Sequence, residues 1–248
     1  MKRLLAILMV LMLGAALSGS AFAVDQTLAG LPFAKKLKLA KAGDAEAKMA
    51  VAEAYESGTG TKTSAAEAAR WYREAALTGN LDAQYKLAML VSSGAPGVKQ
   101  DKGTAVKLIA AAAQKGHLRS QNQYGVFIEN GDGVAKDDKL AAEWYLKAAN
   151  QGLAEAQNNY GVMLLRGLGV QRSLDEAFKW FTRAADQKYS WAENNLGGMY
   201  EKGWGTPVDL TKAMAYYKMA GDQGNSAGQK NYERLAAKQG TGSTTAPK

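Results

Sequence analysis

The sequence repeats itself with a period of about 36 residues, and this period is the feature that most constrains the fold. Pairs of large apolar residues recur with successive spacings of 37, 36, 36 and 36 residues, at 71–72, 108–109, 144–145, 180–181 and 216–217. A Gly-x-Gly motif, or a Gly-Ala-Pro-Gly variant with one extra residue, recurs in the same register, at 58–60, 94–97, 131–133, 167–169 and 203–205. Five agreeing units of this length predict a repeat protein in which each unit packs mainly on its neighbours.

Each unit is expected to form two helices joined by the Gly-x-Gly turn. In the fourth unit, the first helix places inward-facing residues at helical spacing: Ala156, Tyr160, Met163, Leu164 and Gly167. The second helix has an equivalent stripe: Ala177, Trp180, Phe181, Ala184 and Ala185. Because one helix pair cannot bury its apolar face alone, neighbouring pairs must stack. The sequence therefore predicts an all-α fold, an α/α superhelical solenoid of about five 36-residue helix-turn-helix repeats with partial capping helices.

Glycines recur inside the first helix of the later units, at Gly125, Gly161 and Gly197. A glycine inside a helix costs about 1 kcal/mol relative to alanine. Its recurrence in one register indicates that a bulky residue of the second helix, the Trp or Tyr, needs the space.

The chain divides at its ends and within the repeat array. We assign residues 1–23 to a cleaved signal peptide, 24–42 to an N-terminal segment and capping helix, 43–238 to the solenoid, and 239–248 to a disordered tail. The units lie near 43–78, 79–115, 116–151, 152–187 and 188–223, with a closing helix at 224–238.

The assignment of a signal peptide rests on the first 23 residues. Lys2 and Arg3 precede an apolar run from Leu4 to Leu17, and small residues at Ala21 and Ala23 predict cleavage after Ala23. The run is short for a membrane span of about 20 residues, so an uncleaved anchor is the weaker alternative. We expect a periplasmic or secreted protein with no stable membrane span after the signal is removed.

Composition narrows the function classes. Removal of the signal lowers the formal net charge from +8 to +6, because Lys2 and Arg3 leave and no acid does. The excess is spread along the chain, which suits an acidic partner and gives no reason to expect nucleic acid. The absence of cysteine excludes disulfides and thiolate chemistry. His117 is the only histidine and has no clustered companions in the sequence, so we expect no metal, no cofactor and no enzyme.

The units "AEAQNNYGVMLLRGLGVQRSLDEAFKWFTRAADQ" and "SQNQYGVFIENGDGVAKDDKLAAEWYLKAANQG" resemble the Sel1-like repeat (SLR) family, a relative of tetratricopeptide repeats. The resemblance implies a right-handed superhelix that acts as an adaptor between proteins, and exported bacterial members that serve envelope signalling, secretion or host contact. Some cysteine-rich members have been linked to penicillin binding and β-lactam hydrolysis, which leaves a β-lactam-binding or β-lactam-hydrolysing protein as an alternative. A peptidoglycan-associated structural protein is a further alternative.

A partner-binding groove is predicted on the first helix of each unit, beside the core stripe. Its predicted residues, on the concave face of a monomer, are Gln123, Val126, Asn159, Val162, Arg166, Asn195 and Lys202. Side-chain amides can donate to and accept from the backbone of an extended peptide, while valine adds apolar area. The alternative is that the asparagines form hydrogen bonds between repeats.

Overall fold

The computed structural model describes residues 28–242, with side chains through residue 238. In this part of the chain a short 3-10 turn at Leu28–Gly30 is followed by helices only, which alternate between two sets. The A helices are α2 (Ala45–Ser57), α4 (Leu81–Ser93), α6 (Leu118–Asn130), α8 (Ala154–Arg166), α10 (Ser190–Lys202) and α12 (Ser226–Gly242). The B helices are α1 (Phe33–Lys41), α3 (Ala65–Leu77), α5 (Lys102–Gln114), α7 (Asp138–Asn150), α9 (Leu174–Ala185) and α11 (Leu210–Asp222).

Consecutive helices pack as antiparallel pairs, and the protein is an all-α repeat solenoid. Repeats 1 to 5 are the pairs α2–α3, α4–α5, α6–α7, α8–α9 and α10–α11, while α1 and α12 cover the two ends. Helix α12 continues to Gly242, four residues into the segment expected to be disordered. The predicted signal peptide and residues 243–248 lie outside the described residues. Within the described part, no helix is both long enough and apolar enough to cross a membrane.

Local sequence signals fix where the helices of each pair begin and end. The five B helices within the repeats start at a side-chain cap that accepts a hydrogen bond from the backbone N–H three residues on: Ser64, Asp101, Asp137, Ser173 and Asp209. The A helices of the repeats end at glycines in the left-handed region: Gly58, Gly94, Gly131, Gly167 and Gly203. The first glycine of the turn is therefore a helix C-cap.

The second glycine of the turn has a different role, because it touches the preceding repeat. A Cβ on Gly133 would lie 2.6 Å from the carbonyl oxygen of Lys102, and one on Gly205 would lie 2.5 Å from that of Leu174. Gly169 approaches the Asp138 carbonyl in the same way. Each of these carbonyls belongs to the first residue of the preceding B helix. The Gly-x-Gly turn thus reverses the chain and also packs one repeat on the next.

The predicted core stripes are confirmed in the fourth repeat with one exception. On α8, Ala156, Met163 and Leu164 are buried and Tyr160 is partly buried. All five residues of the α9 stripe are buried. The exception is Gly167, which is exposed because it caps the helix instead of facing the core.

The glycines inside the A helices make room for a ring of the paired B helix, which confirms the prediction for the tyrosines of repeats 3 and 5, but in repeat 4 the ring is Phe181 and not the tryptophan. A Cβ on Gly161 would lie 2.7 Å from Phe181 Cε1, and one on Gly197 would lie 2.5 Å from Tyr217 Cδ1. Trp180 instead packs edge-on against Tyr160, with 5.5 Å between ring centroids. In repeats 3 to 5 the first residue of the large apolar pair therefore meets an aromatic side chain, and the second meets a glycine.

Candidate protein-binding face

Asparagine pairs link each A helix of the C-terminal half to the next. The three hydrogen bonds run from Asn159 Nδ2 to Asn122 Oδ1 (3.0 Å), from Asn195 Nδ2 to Asn158 Oδ1 (2.8 Å), and from Asn231 Nδ2 to Asn194 Oδ1 (2.9 Å). The repeat-to-repeat alternative is therefore observed for Asn159 and Asn195. An amide has two N–H groups and an oxygen with two lone pairs, so one such bond leaves most of its capacity for a second partner.

Glutamines form a second, partly buried set of links between repeats. Gln151 donates to Gln121 Oε1 at 2.6 Å, and Gln187 donates to Gln157 Oε1 at 2.8 Å. In the last link the acceptor is a carboxylate, because Gln223 donates to Glu193 Oε2 at 2.6 Å. These links were not predicted from the sequence, although Gln84, Gln121 and Gln157 recur at one position of the A helix.

A cleft of about 450 Å³ opens between α10 and α12, and we call it the C-terminal cleft. Its lining residues are Leu165, Asn194, Asn195, Gly198, Met199, Glu201, Lys202, Trp204, Tyr217, Asn231 and Arg234. Gly198 stands where the two preceding repeats have Val126 and Val162, so the cleft opens where a side chain is missing. A Cβ built at Gly198 would lie 3.5 Å from the Tyr217 hydroxyl oxygen, which is an ordinary van der Waals contact.

On one wall of the C-terminal cleft, the negative charge of Glu201 is neutralised by Arg234. Glu201 accepts a hydrogen bond from Tyr217 Oη at 2.8 Å and two from the Arg234 guanidinium, both at 2.6 Å. The Arg234 hydrogen bonds hold the pKa of the Glu201 carboxyl below its ordinary value. Opposite, the Lys202 ammonium lies 4.1 Å from the centre of the Trp204 ring, a cation–π geometry.

The structure brings two of the seven predicted groove residues, Asn195 and Lys202, into this cleft. The other predicted residues lie on α6 and α8, outside it: Gln123, Val126, Asn159 and Val162, which are partly buried, and Arg166, which is exposed. All seven stay predictions. The groove predicted from the sequence did not include Trp204 or Arg234, because the turn and the closing helix were expected to serve only the fold; Asn231, which stands in register with Asn159 and Asn195, was also left out of it.

His117 has neighbours that the sequence did not reveal. Its Nδ1 lies 2.7 Å from Ser120 Oγ and its Nε2 lies 3.2 Å from Asp82 Oδ1. These residue types resemble a serine hydrolase triad, but Ser120 is fully buried whereas the Asp82 side chain is 66% exposed. A nucleophile must reach its substrate, so this order of burial is the reverse of what catalysis needs. The cluster joins repeat 2 to repeat 3 at the start of α6.

Comparisons with known proteins agree with this architecture. The Sel1 repeat model matches residues 43–80, 81–117, 118–153, 154–189 and 192–225. A protective antigen of uropathogenic Escherichia coli strains with an SLR fold superposes with a TM-score of 0.74 at 33% identity over 86% of this chain. The chain covers 45% of that antigen, less than half its length. A Sel1 repeat protein from Oxalobacter formigenes gives a TM-score of 0.72 at 26% identity, covering 81% of this chain and 86% of that one. No curated protein matches the sequence.

The matched repeats coincide with the helix pairs, and their links are built from side chains that recur in register. Sel1 repeats generally mediate protein–protein interaction, and the family is typically a non-catalytic scaffold. Five matched repeats, covering most of residues 43–225, show that the chain belongs to the Sel1 repeat family.

Proposed function

We propose that this protein is an exported, non-enzymatic scaffold that binds an extended segment of another protein along its A helices, with the C-terminal cleft as the main contact. The observation that carries the proposal is the cleft itself. It combines amides that keep unused hydrogen-bonding capacity, a recess at Gly198, and a rigid support of linked repeats.

The lining of the cleft suits the backbone and one side chain of a bound segment. Asn195 and Asn231 each donate one hydrogen bond within the amide links, and their oxygens and second N–H groups are available to an extended backbone. The recess at Gly198, beside Met199 and Trp204, accepts an apolar side chain. Lys202 adds a positive charge at the rim, which favours an acidic residue in the partner.

Two observations support export. The first 23 residues have the charge, apolar run and small residues of a signal peptide. The uropathogenic Escherichia coli protein that this chain resembles is a protective antigen, which is consistent with a protein that leaves the cytoplasm. The proposal includes a role in envelope signalling, secretion or host contact, which such a location would allow. N-terminal sequencing of the mature protein is expected to begin at Val24, and an intact N-terminus would contradict export by cleavage.

The binding proposal is tested by photo-crosslinking in the native cell. A photoactivatable residue at position 202, on the rim of the cleft, is expected to give a discrete crosslinked product. The same residue at the exposed position 143 of α7 serves as the matched control and is expected not to give that product. Gly198→Leu fills the recess and is expected to remove the product while circular dichroism stays unchanged. Equal crosslinking from both positions, or no effect of Gly198→Leu, would contradict the proposal.

A further inference from the structure

Repeat 2 departs from repeats 3 and 4 at one structural position. In repeats 3 and 4 a tryptophan of the B helix packs edge-on against a tyrosine of the A helix and lies under a cation. Trp144 contacts Tyr124 with centroids 5.2 Å apart, and Lys147 lies 4.0 Å from its ring. Trp180 contacts Tyr160 in the same way, with Arg183 at 4.4 Å. The equivalent residues of repeat 2 are Leu108, Leu87 and Ala111, so three bulky groups are replaced by smaller ones.

A recess is found where these groups are missing. It has a volume of about 270 Å³, lies between α3, α4 and α5, and is bordered by both Leu87 and Leu108. A second recess of about 380 Å³ adjoins it and shares three lining residues: Arg73, Val91 and Thr104. We call the two together the repeat-2 groove. It runs along the B helices, whereas the C-terminal cleft is formed by the A helices α10 and α12.

The rim of the repeat-2 groove carries an exposed leucine. Leu77 is 78% exposed at the end of α3, where the other B helices of the repeats have polar residues in the same register: Gln114, Asn150, Asp186 and Asp222. A single exposed leucine is common on protein surfaces, but Leu77 borders an apolar recess and so extends its apolar surface to the rim. The repeat-2 groove therefore has smaller side chains in its interior than repeats 3 and 4 and an additional apolar side chain at its rim. These two differences lie at different sequence positions but border the same recess.

The charges beside the groove select the partner. Arg70, Arg73 and Lys99 line it, and Asp101 is the only acid among its lining residues. The Asp101 carboxylate is already bonded to the backbone N–H and hydroxyl of Thr104, where it caps α5. Arg73 makes no ion pair with any residue in the described part of the chain. A carboxylate beside Arg73 would thus find an uncommitted cation.

We infer that the repeat-2 groove is a second protein-binding site, which takes an aromatic side chain flanked by acidic residues from a segment of another protein. The aromatic ring occupies the space that a repeat tryptophan fills in repeats 3 and 4. The flanking carboxylates pair with Arg73 and its neighbouring cations. The site is independent of the C-terminal cleft, so either can fail while the other holds.

The test uses fluorescein-labelled peptides of about eight residues, with one tryptophan among aspartates and glutamates, and the full mature chain. Anisotropy is expected to show binding that is lost when the peptide tryptophan becomes alanine and weakened about tenfold when its acids become amides. Leu108→Trp, which introduces the tryptophan of repeats 1, 3 and 4, is expected to abolish binding while the chain stays folded. Arg73→Gln is expected to weaken binding about tenfold and to reduce its dependence on salt.

Three outcomes would overturn the inference. One is peptide binding that Leu108→Trp leaves unchanged. Another is the absence of binding at millimolar peptide. The third is a concentration-dependent dimer of the free chain that Leu108→Trp dissociates, because the groove would then hold a second copy. Leu77→Gln tests the site without changing the packing inside the recess, because Leu77 lies at the rim. This substitution is expected to weaken peptide binding.

Discussion

Tyr145 Oη donates a 2.6 Å hydrogen bond to Glu129 Oε2, sixteen residues earlier in the same repeat. Repeats 1 and 5 form the same bond, between Tyr72 and Glu56 and between Tyr217 and Glu201. The other two repeats lack both groups: repeat 4 has Leu165 and Phe181, and repeat 2 has Ser92 and Ile109. Glutamate therefore accompanies tyrosine because a buried phenol needs an acceptor.

This pairing predicts that substitutions of Glu129 and Tyr145 in repeat 3 have non-additive effects on the free energy of unfolding. Glu129→Leu leaves the buried Tyr145 hydroxyl without an acceptor and is expected to lower the free energy of unfolding by about 2 kcal/mol. Tyr145→Phe is expected to cost about 1 kcal/mol, since Glu129 keeps some contact with water. The double substitution copies repeat 4 and is expected to cost at least about 1 kcal/mol less than the sum. Urea unfolding at neutral pH measures all three, and simple additivity would contradict the pairing.

Gly161→Ala is expected to destabilise the protein although alanine is the better helix former. The new Cβ would lie 2.7 Å from Phe181 Cε1, and crowding of this kind costs about 1–3 kcal/mol against a helix gain of about 1 kcal/mol. Gly103→Ala in α5 is the control, because its Cβ meets only Asp101 Oδ1, at 3.5 Å. This control is expected to be neutral or slightly stabilising. Thermal unfolding compares the two, and a stabilising Gly161→Ala would show that the ring moves aside freely.

Two glycines in turns allow the cost of a left-handed backbone to be separated from the cost of a steric clash with the preceding repeat. Gly169→Ala places a Cβ against the Asp138 carbonyl of the preceding repeat at a backbone φ of +65°. Gly152→Ala also has a positive φ, +95°, but meets nothing within 4 Å. We expect Gly152→Ala to cost about 1 kcal/mol, the price of the left-handed conformation, and Gly169→Ala to cost about 3 kcal/mol or more. Equal losses in urea unfolding would mean that the turn does not support the neighbouring repeat.

Much of the fold could be predicted from sequence because it depends on periodicity. The stripes of α8 and α9 follow from spacing within one helix, and the recurrence of Gly161 follows from the register of the repeat. The links between repeats could not be predicted in this way. Asn159 bonds to a residue 37 positions earlier instead of 36, an offset that depends on the angle between neighbouring A helices. Likewise, only the three-dimensional stacking brings Arg234 of α12 to Glu201.

Glu193 is the one carboxylate in the glutamine links, and it is completely buried. In the two preceding repeats the equivalent Gln121 and Gln157 each donate to a backbone carbonyl eight residues earlier, at 3.3 Å. An ionised Glu193 cannot donate, and its Oε1 has no hydrogen-bond partner although Oε2 accepts from Gln223. Burial raises the pKa of the Glu193 carboxyl above its ordinary value. A titratable group that senses Glu193 is Tyr216 of α11, whose pKa is raised by burial and by negative charge that includes Glu193.

Glu193→Gln is therefore expected to stabilise the protein in a pH-dependent way. Because the pKa of Glu193 is higher in the folded than in the unfolded state, folding favours the protonated side chain. The stabilisation from protonated Glu193 is fully present below the unfolded pKa of about 4.3, and it is lost as pH rises through the folded pKa. Glu193→Gln keeps a donor at every pH, so it is expected to exceed the wild type by about 1–2 kcal/mol near pH 8. The gap should close as pH falls towards about 4.5. The reciprocal Gln157→Glu is expected to create the same dependence in repeat 4. Urea unfolding across this range measures both, and a gap that stays constant with pH would show that Glu193 does not change protonation on folding.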